Sequence, residues 1–268
     1  MLIEEAEFVV FDVETTGLNP QAGDRICEIG AVKVSRREVV SSFTKLVNPK
    51  RDVPLEALSI HGIDLEELKK APLFEEVIDN FLEFIDGFFL LGYNIEFDLS
   101  FLNIELQRIG KKPLENPYID ILGICRRFLT LEKYNLSSVA QFFKLPLENL
   151  HRAYQDALTS AHIFLNLSSY LERGGIRNME ELSVLFGSKK EDFSISNPKI
   201  EIIQKALRES LKLKIKYYSF YKKELTEREV LPYSLDLRGA KYFLVGQCLL
   251  RGEERSFNLD NIIDLEVI

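Results

Sequence analysis

Phe8-Val9-Val10-Phe11-Asp12-Val13-Glu14-Thr15-Thr16-Gly17 is an apolar run that ends in two carboxylates two residues apart. β-Branched and aromatic residues at this density predict a strand. In a strand, residues i and i+2 share a face, so Asp12 and Glu14 point to one side together. Two like charges held that close are cheap only with a cation between them; solvated acids at a strand edge are the alternative this segment allows. Thr15-Thr16-Gly17 supplies the polar, glycine-permitted turn that ends the strand.

Downstream, residues 26–34 and 38–46 predict two strands joined by Ser35-Arg36-Arg37, an antiparallel extension of the first. Glu28 is either an acid behind Glu14 or a residue on a polar strand face. Prolines 49 and 54 predict an extended loop, and Asp64 caps a short helix to Lys69. His61, read as part of a turn, either hydrogen-bonds a nucleotide or a loop backbone, or is structural. Apolar residues recur with helical period over 74–85. Residues 88–93 read as a central strand leading into a helix over 99–108, with Asp98 at its start, where a simple N-cap suffices. Asp120 ends a short strand and caps the helix over 121–128. A short helix covers 136–143. His151 then precedes a helix over 154–171, in which Asp156 faces the sheet among alanines and leucines, an expensive position unless paired or metal-bound.

The totals set bounds. A chain of 268 residues has room for one large domain and a small one. With 46% hydrophobic and 28% charged residues its composition is that of an ordinary globular protein. A net charge of -8 and a pI of about 5.2 argue against nonspecific coating of nucleic acid, but not against an enzyme whose acids hold metals. No apolar run reaches membrane-span length and no basic leader precedes the first strand, so the expectation is a cytoplasmic protein without a membrane partner. Cys27, Cys125 and Cys248 lack metal-ligand spacing and read as small buried hydrophobes.

Gly174-Gly175 closes the first domain, giving boundaries of 1–175, a linker over 176–198 in which 179–186 add a short helix and 187–198 read as the linker proper, and a second domain over 199–268. Residues 199–209 predict a helix. The segments 211–220, 227–233, 234–238, 242–248 and 254–258 predict short strands, which suit a small curved sheet or barrel.

Asp12, Glu14, Asp98 and Asp156 come from three separated segments. Converging on one sheet edge, they can hold two hard divalent cations about 4 Å apart, suited to in-line phosphoryl displacement. His151 is the natural group to deprotonate an attacking water near neutral pH.

Residues 11–18, Asn94-Ile95-Glu96-Phe97-Asp98 and His151-Arg152-Ala153-Tyr154-Gln155-Asp156-Ala157 resemble the three exonuclease motifs of the DEDDh group, the family of the proofreading subunit of bacterial DNA polymerase III. The likeness spans about residues 6–172. It implies an α/β ribonuclease H-like fold, a mixed central sheet flanked by helices, and hydrolysis from a 3′ end to nucleoside 5′-monophosphates. Asp12, Glu14, Asp98 and Asp156 would bind two Mg²⁺ or Mn²⁺ ions, and His151 would be the general base. Thr15, Thr16, Gly17 and Leu18 would hold the terminal nucleotide, and Asn94 would line the cleft. Residues 58–64 resemble the family's histidine-glycine loop, which puts His61 with the substrate. The expected substrate is a single-stranded or frayed DNA 3′ end. An exoribonuclease is the rival, because acids do not read the sugar. A polymerase or other protein partner is left open.

Residues 232–246, followed by Arg251, Arg255, Phe257 and Leu259, resemble the WYL domain, with Tyr242-Phe243-Leu244 in place of its tryptophan-tyrosine-leucine triplet. That likeness implies a small Sm-like β-barrel that binds nucleic acid or a nucleotide ligand. Arg228, Arg238, Arg251 and Arg255 would meet phosphates, and Tyr218 or Tyr233 would stack a base. Alternatively, the arginines pair with Glu253, Glu254 and Asp236 while the aromatics fill the core. A ligand-sensing regulator led by this module is the reading from a different functional class, although no helix-turn-helix accompanies it.

Overall fold

The computed structural model describes residues 1–147, 151–187, 198–239 and 241–268. Its elements are β1 (Glu7–Thr15), β2 (Ile26–Ser35), β3 (Glu38–Leu46), α1 (Leu55–His61), α2 (Leu65–Lys70), α3 (Phe74–Ile85), β4 (Phe89–Gly92), α4 (Glu96–Arg108), β5 (Tyr118–Asp120), α5 (Ile121–Phe128), α6 (Leu136–Phe142), α7 (Ala153–Arg173), α8 (Met179–Phe186), α9 (Pro198–Glu209), β6 (Leu213–Ser219), β7 (Glu224–Arg238), β8 (Lys241–Cys248), β9 (Glu253–Asn258) and β10 (Ile262–Val267). Two units divide the chain, Met1–Tyr170 and Leu171–Ile268, with the division falling inside α7.

In the first unit the sheet runs β3-β2-β1-β4-β5. The β1–β2 and β2–β3 ladders are antiparallel and the β1–β4 and β4–β5 ladders parallel, so the sheet is mixed. Central β1 is covered on both faces, and its apolar residues sort by the strand's period of two. Val9, Phe11 and Val13 join a core with Phe74, Val77, Ile78 and Phe81 of α3 and with Leu99, Phe101, Leu102 and Leu106 of α4. On the opposite face, Phe8 meets Phe164 of α7 edge-on at 5.1 Å. Asp12 and Glu14 continue the Phe8 row. Following that row toward the end of β1 means following α7 backward toward its start, which brings these acids to Asp156.

Gly30 lets the two elements approach. A Cβ there would lie 2.1 Å from the Tyr154 backbone nitrogen and 2.2 Å from the Ala153 carbonyl carbon. Gly30→Ala is therefore expected to destabilise the protein by about 3 kcal/mol through overpacking against backbone that cannot give way, read as a lowered midpoint in chemical denaturation.

In the second unit the sheet order is β10-β6-β7-β8-β9. All four ladders are antiparallel, and Ile200, Ile203 and Ala206 of α9 pack in its core. The five strands and the helix of the expected small β domain are present; β9 and β10 form no ladder with each other among the described residues, so what is seen is a sheet with a helix on it, without a closed barrel. The segments read as two strands over 227–238 are one strand, β7, with an irregularity between Pro232 and Ser234 that accommodates the proline without ending the pairing. Within residues 176–198 the short helix expected over 179–186 is α8, whose Met179, Leu182 and Phe186 are buried; the linker proper falls on residues 188–197, which lie outside those described. Cys27, Cys125 and Cys248 are buried free thiols. Among the described residues no helix is long and apolar enough to cross a membrane.

Candidate active site

Asp12 and Glu14 reach the site from β1, Asp98 from the first turn of α4 and Asp156 from the first turn of α7. One carboxylate oxygen from each of Asp12, Glu14 and Asp156 lies within 4.8 Å of the others. Asp98 stands beside this trio rather than in it. It does not cap its own helix, the simplest role from sequence; its Oδ1 accepts the Val13 N–H at 2.9 Å and so ties α4 to the strand that carries the other two acids.

This crowding costs free energy in the absence of a cation. Burial, followed by Asp98, Glu14, Asp156 and Glu28, raises the Asp12 carboxyl well above its ordinary range. Glu14 is pushed up to about 8 by burial and then by Asp156, Glu28 and Asp98, with Arg152 pulling the other way. Asp98 rises to about 8 through burial, opposed by the N–H donated from Val13. Asp156 is raised by burial, opposed by the His151 N–H. The donor set of the trio is all carboxylate oxygen, with no thiolate or imidazole among its members. Such a set fits a hard divalent cation, which would replace the mutual repulsion with attraction.

His151 lies just before α7, exposed and in the left-handed region at φ 69°. Its N–H donates to Asp156 Oδ1 at 3.2 Å and Oδ2 at 3.3 Å. Glu28, whose role the sequence left between two readings, is 1% exposed and sits opposite Glu14 in the β1–β2 ladder. It accepts hydrogen bonds from Arg152 and Ala153.

The turn after β1 is tied down internally. Thr15 Oγ1 donates to Gly17 O at 2.6 Å. Buried Thr16 donates to Asp24 Oδ1 at 3.2 Å and accepts the Arg25 N–H at 3.1 Å. Gly17 backs onto Asp24, leaving no room for a side chain, and Leu18 is 84% exposed. Asn94, also left-handed at φ 65°, donates its N–H to Asp120 Oδ1 at 2.9 Å. Asp120 caps α5 as read from sequence. His61 is the last residue of helix α1 rather than part of a loop turn. It is buried; its Nδ1 accepts the Ile63 N–H at 3.1 Å, while Nε2 is buried without a hydrogen-bond partner.

Sequence reading missed Glu105. It is 1% exposed on α4 and takes a forked contact from Arg25, with Nη2–Oε2 at 2.8 Å, and a second contact from Arg108 at 3.1 Å. Arg108 also donates to Pro20 O at 3.2 Å, so the pair fixes the segment after Gly17 to α4. Its place seven residues after Asp98, two turns along the same helix face, was the available signal.

In the second unit, Arg228 and Arg255 line one cleft of about 210 Å³ together with Tyr217, Ser219, Lys222 and the acid Glu224, which pairs with Lys222 at 3.7 Å. Arg228 is 7% exposed; Nε donates to Thr226 Oγ1 at 3.1 Å and Nη1 to Cys248 Sγ at 3.8 Å. Among the described residues no carboxylate pairs with it. Arg255 is bonded to Glu253 at 2.6 Å. Arg238, paired with Asp236 at 2.9 Å and set over the Phe243 ring, and exposed Arg251 are not part of this cleft. Tyr218 is fully buried against Phe220 and has no face for a base, which corrects that expectation; Tyr233 is half exposed.

The exonuclease family model matches residues 9–164 and the WYL domain model residues 198–267. The PolC-type DNA polymerase III of Caldanaerobacter subterraneus subsp. tengcongensis is 38% identical over 189 residues, 70% of this chain and 13% of that protein. The chain thus matches only a small part of such polymerases. The DNA polymerase III subunit epsilon of Rickettsia conorii is 41% identical over 166 residues, 59% of this chain and 72% of the relative. Among solved structures, the nuclease domain of 3'hExo, a DEDDh family member bound to rAMP, superposes with a TM-score of 0.57 at 18% identity over 66% of this chain and 98% of that one. E. coli Exonuclease I in complex with a dT13 oligonucleotide gives 0.58 at 15% identity over 90% and 55%. These superpositions establish the likeness of fold.

Proposed function

From a chain that belongs to the exonuclease family and carries a WYL domain, we propose a divalent-metal-dependent 3′–5′ exonuclease that removes nucleoside 5′-monophosphates from single-stranded or frayed DNA 3′ ends. The observation that carries it is the meeting of Asp12, Glu14 and Asp156 within 4.8 Å, with Asp98 held to the same strand by the Val13 N–H. Bound Mg²⁺ or Mn²⁺, two ions in this reading, supplies Lewis-acid chemistry at the phosphoryl group and lowers the pKa of water. Asp12, Glu14, Asp98 and Asp156 hold the metal. The His151 imidazole takes the proton of the attacking water. The Thr15-Thr16-Gly17-Leu18 turn, Asn94 and the unpartnered Nε2 of His61 hold the terminal nucleotide. DNA is favoured because the curated relatives are DNA polymerase III chains.

Incubation of end-labelled single-stranded DNA, duplex with a mismatched 3′ terminus, and RNA, each with Mg²⁺, Mn²⁺ or chelator, tests this reading. Mononucleotide release from DNA that chelator abolishes supports it. Release from RNA alone moves the substrate to the rival class, and metal-independent release removes the proposed metal site.

The second unit is assigned an anionic ligand, a nucleotide or nucleic-acid phosphate, at the cleft of Arg228 and Arg255. A desolvated Arg228 guanidinium that no carboxylate pairs among the described residues supports this, the cleft's Glu224 being paired with Lys222 instead, because burying an unpaired charge is costly until an anion meets it. Arg228→Met is expected to weaken binding of a 5′-phosphorylated dinucleotide by more than about tenfold, measured by calorimetry; equal affinity in both proteins would leave the arginine a purely structural group.

A further inference from the structure

We infer that Glu28 is a positioning residue for His151: from β2 it holds the start of α7 so that the histidine stays at the acid cluster. The inference rests on the reading of His151 as the base. Glu28 is buried opposite Glu14, a second carboxylate, which is unfavourable unless its oxygens find donors. It finds three. Arg152 gives a fork, Nη2 to Oε1 at 2.7 Å and Nε to Oε2 at 3.0 Å, and the Ala153 N–H reaches Oε2 at 3.0 Å. The last is one of the N–H groups that the first turn of a helix leaves without an internal partner. Glu28 thus caps α7 from a different strand, and it grips the two residues that directly follow His151.

On its other side, His151 is held by its own N–H to Asp156, in a left-handed conformation that a residue with a Cβ adopts at a cost. Gly30 completes the seat, since only a residue without a side chain lets this backbone lie so close to β2. Asp156 depends less on the clamp. It lies inside the helix, where its N–H already bonds to Arg152 O at 3.0 Å. Loss of Glu28 therefore acts first on His151 and leaves the metal-binding acids in place.

Glu28→Gln keeps the shape and loses the charge, and Arg152→Lys keeps the charge on a half-exposed side chain but loses the fork. Measured on the full-length protein with Mn²⁺ and labelled single-stranded DNA, each is expected to lower kcat about 10- to 100-fold with KM within about twofold. Mn²⁺ affinity stays near wild type in Arg152→Lys, which keeps the local charge, and the His151 amide exchanges faster with deuterium in both variants. In the His151→Ala background, Glu28→Gln removes nothing further, because both act through one group. Wild-type rates in both variants, or losses that multiply in the double variant, overturn the inference. If His151→Ala itself keeps the wild-type rate, the reading of His151 as base fails instead. The exchange measurement still decides the placement in that case: a His151 amide no faster in Glu28→Gln overturns it.

Discussion

Asp12→Asn lowers hydrolysis of DNA 3′ ends by about 10³-fold and, in metal-free buffer at about pH 8, raises the melting temperature. Both effects come from one cause. Asp12 faces Asp98, Glu14, Asp156 and Glu28 in a buried setting that raises its carboxyl. A neutral amide of the same shape relieves the repulsion and removes a metal-binding oxygen. A residue retained for function at the expense of stability gives this opposed pair of results. Rate assays and thermal melts on one preparation decide the matter; a variant that is slow because it is less stable would place Asp12 in the framework instead.

The second large effect is a coupling of pH, metal and stability. Glu14 and Asp98 titrate near 8 in the folded chain against ordinary values of 4.5 and 3.8. Between those limits the native state holds more protons than the unfolded one, so the stability of the metal-free protein falls as pH rises from about 4 to about 8. A divalent cation competes with these protons for the same oxygens. Added Mn²⁺ is therefore expected to raise the melting temperature by several degrees at about pH 8 and by little at about pH 5. A metal-free melting temperature that climbs steadily across that range would show that the cluster is not a buried repulsive one.

Local pattern in the sequence revealed those parts that local pattern determines. The apolar run of β1, the helical period of α3 and the long α7 were readable because each buries a face whose spacing is written in neighbouring residues. The four acids and His151 were named for the same reason, since each stands at the end of such an element. What depends on distant partners was not readable. Asp98 was named among the acids with an N-cap as its plain alternative, but the N–H it accepts from Val13, 85 residues away, could not be foreseen. Glu28 stayed ambiguous because its partners lie 124 and 125 residues away. Helix α1 was missed because Pro54 was read as a breaker, while it stands at the N-cap, where its extended conformation is compatible with the helix that follows. Tyr218 was offered as a stacking surface, and only the packing of β6 shows it buried. The C-terminal strand β10 went unread, although it pairs with β6 and completes that sheet.

Mn²⁺ binding followed by electron paramagnetic resonance, alongside mononucleotide release from labelled single-stranded DNA, tests the central claim most directly. Wild-type protein is predicted to bind Mn²⁺ saturably over the range in which hydrolysis appears, and Asp12→Asn and Asp156→Asn to lose both together. Unchanged Mn²⁺ binding in those variants, or hydrolysis that persists without bound metal, would contradict the assignment of Asp12, Glu14, Asp98 and Asp156 as the metal site.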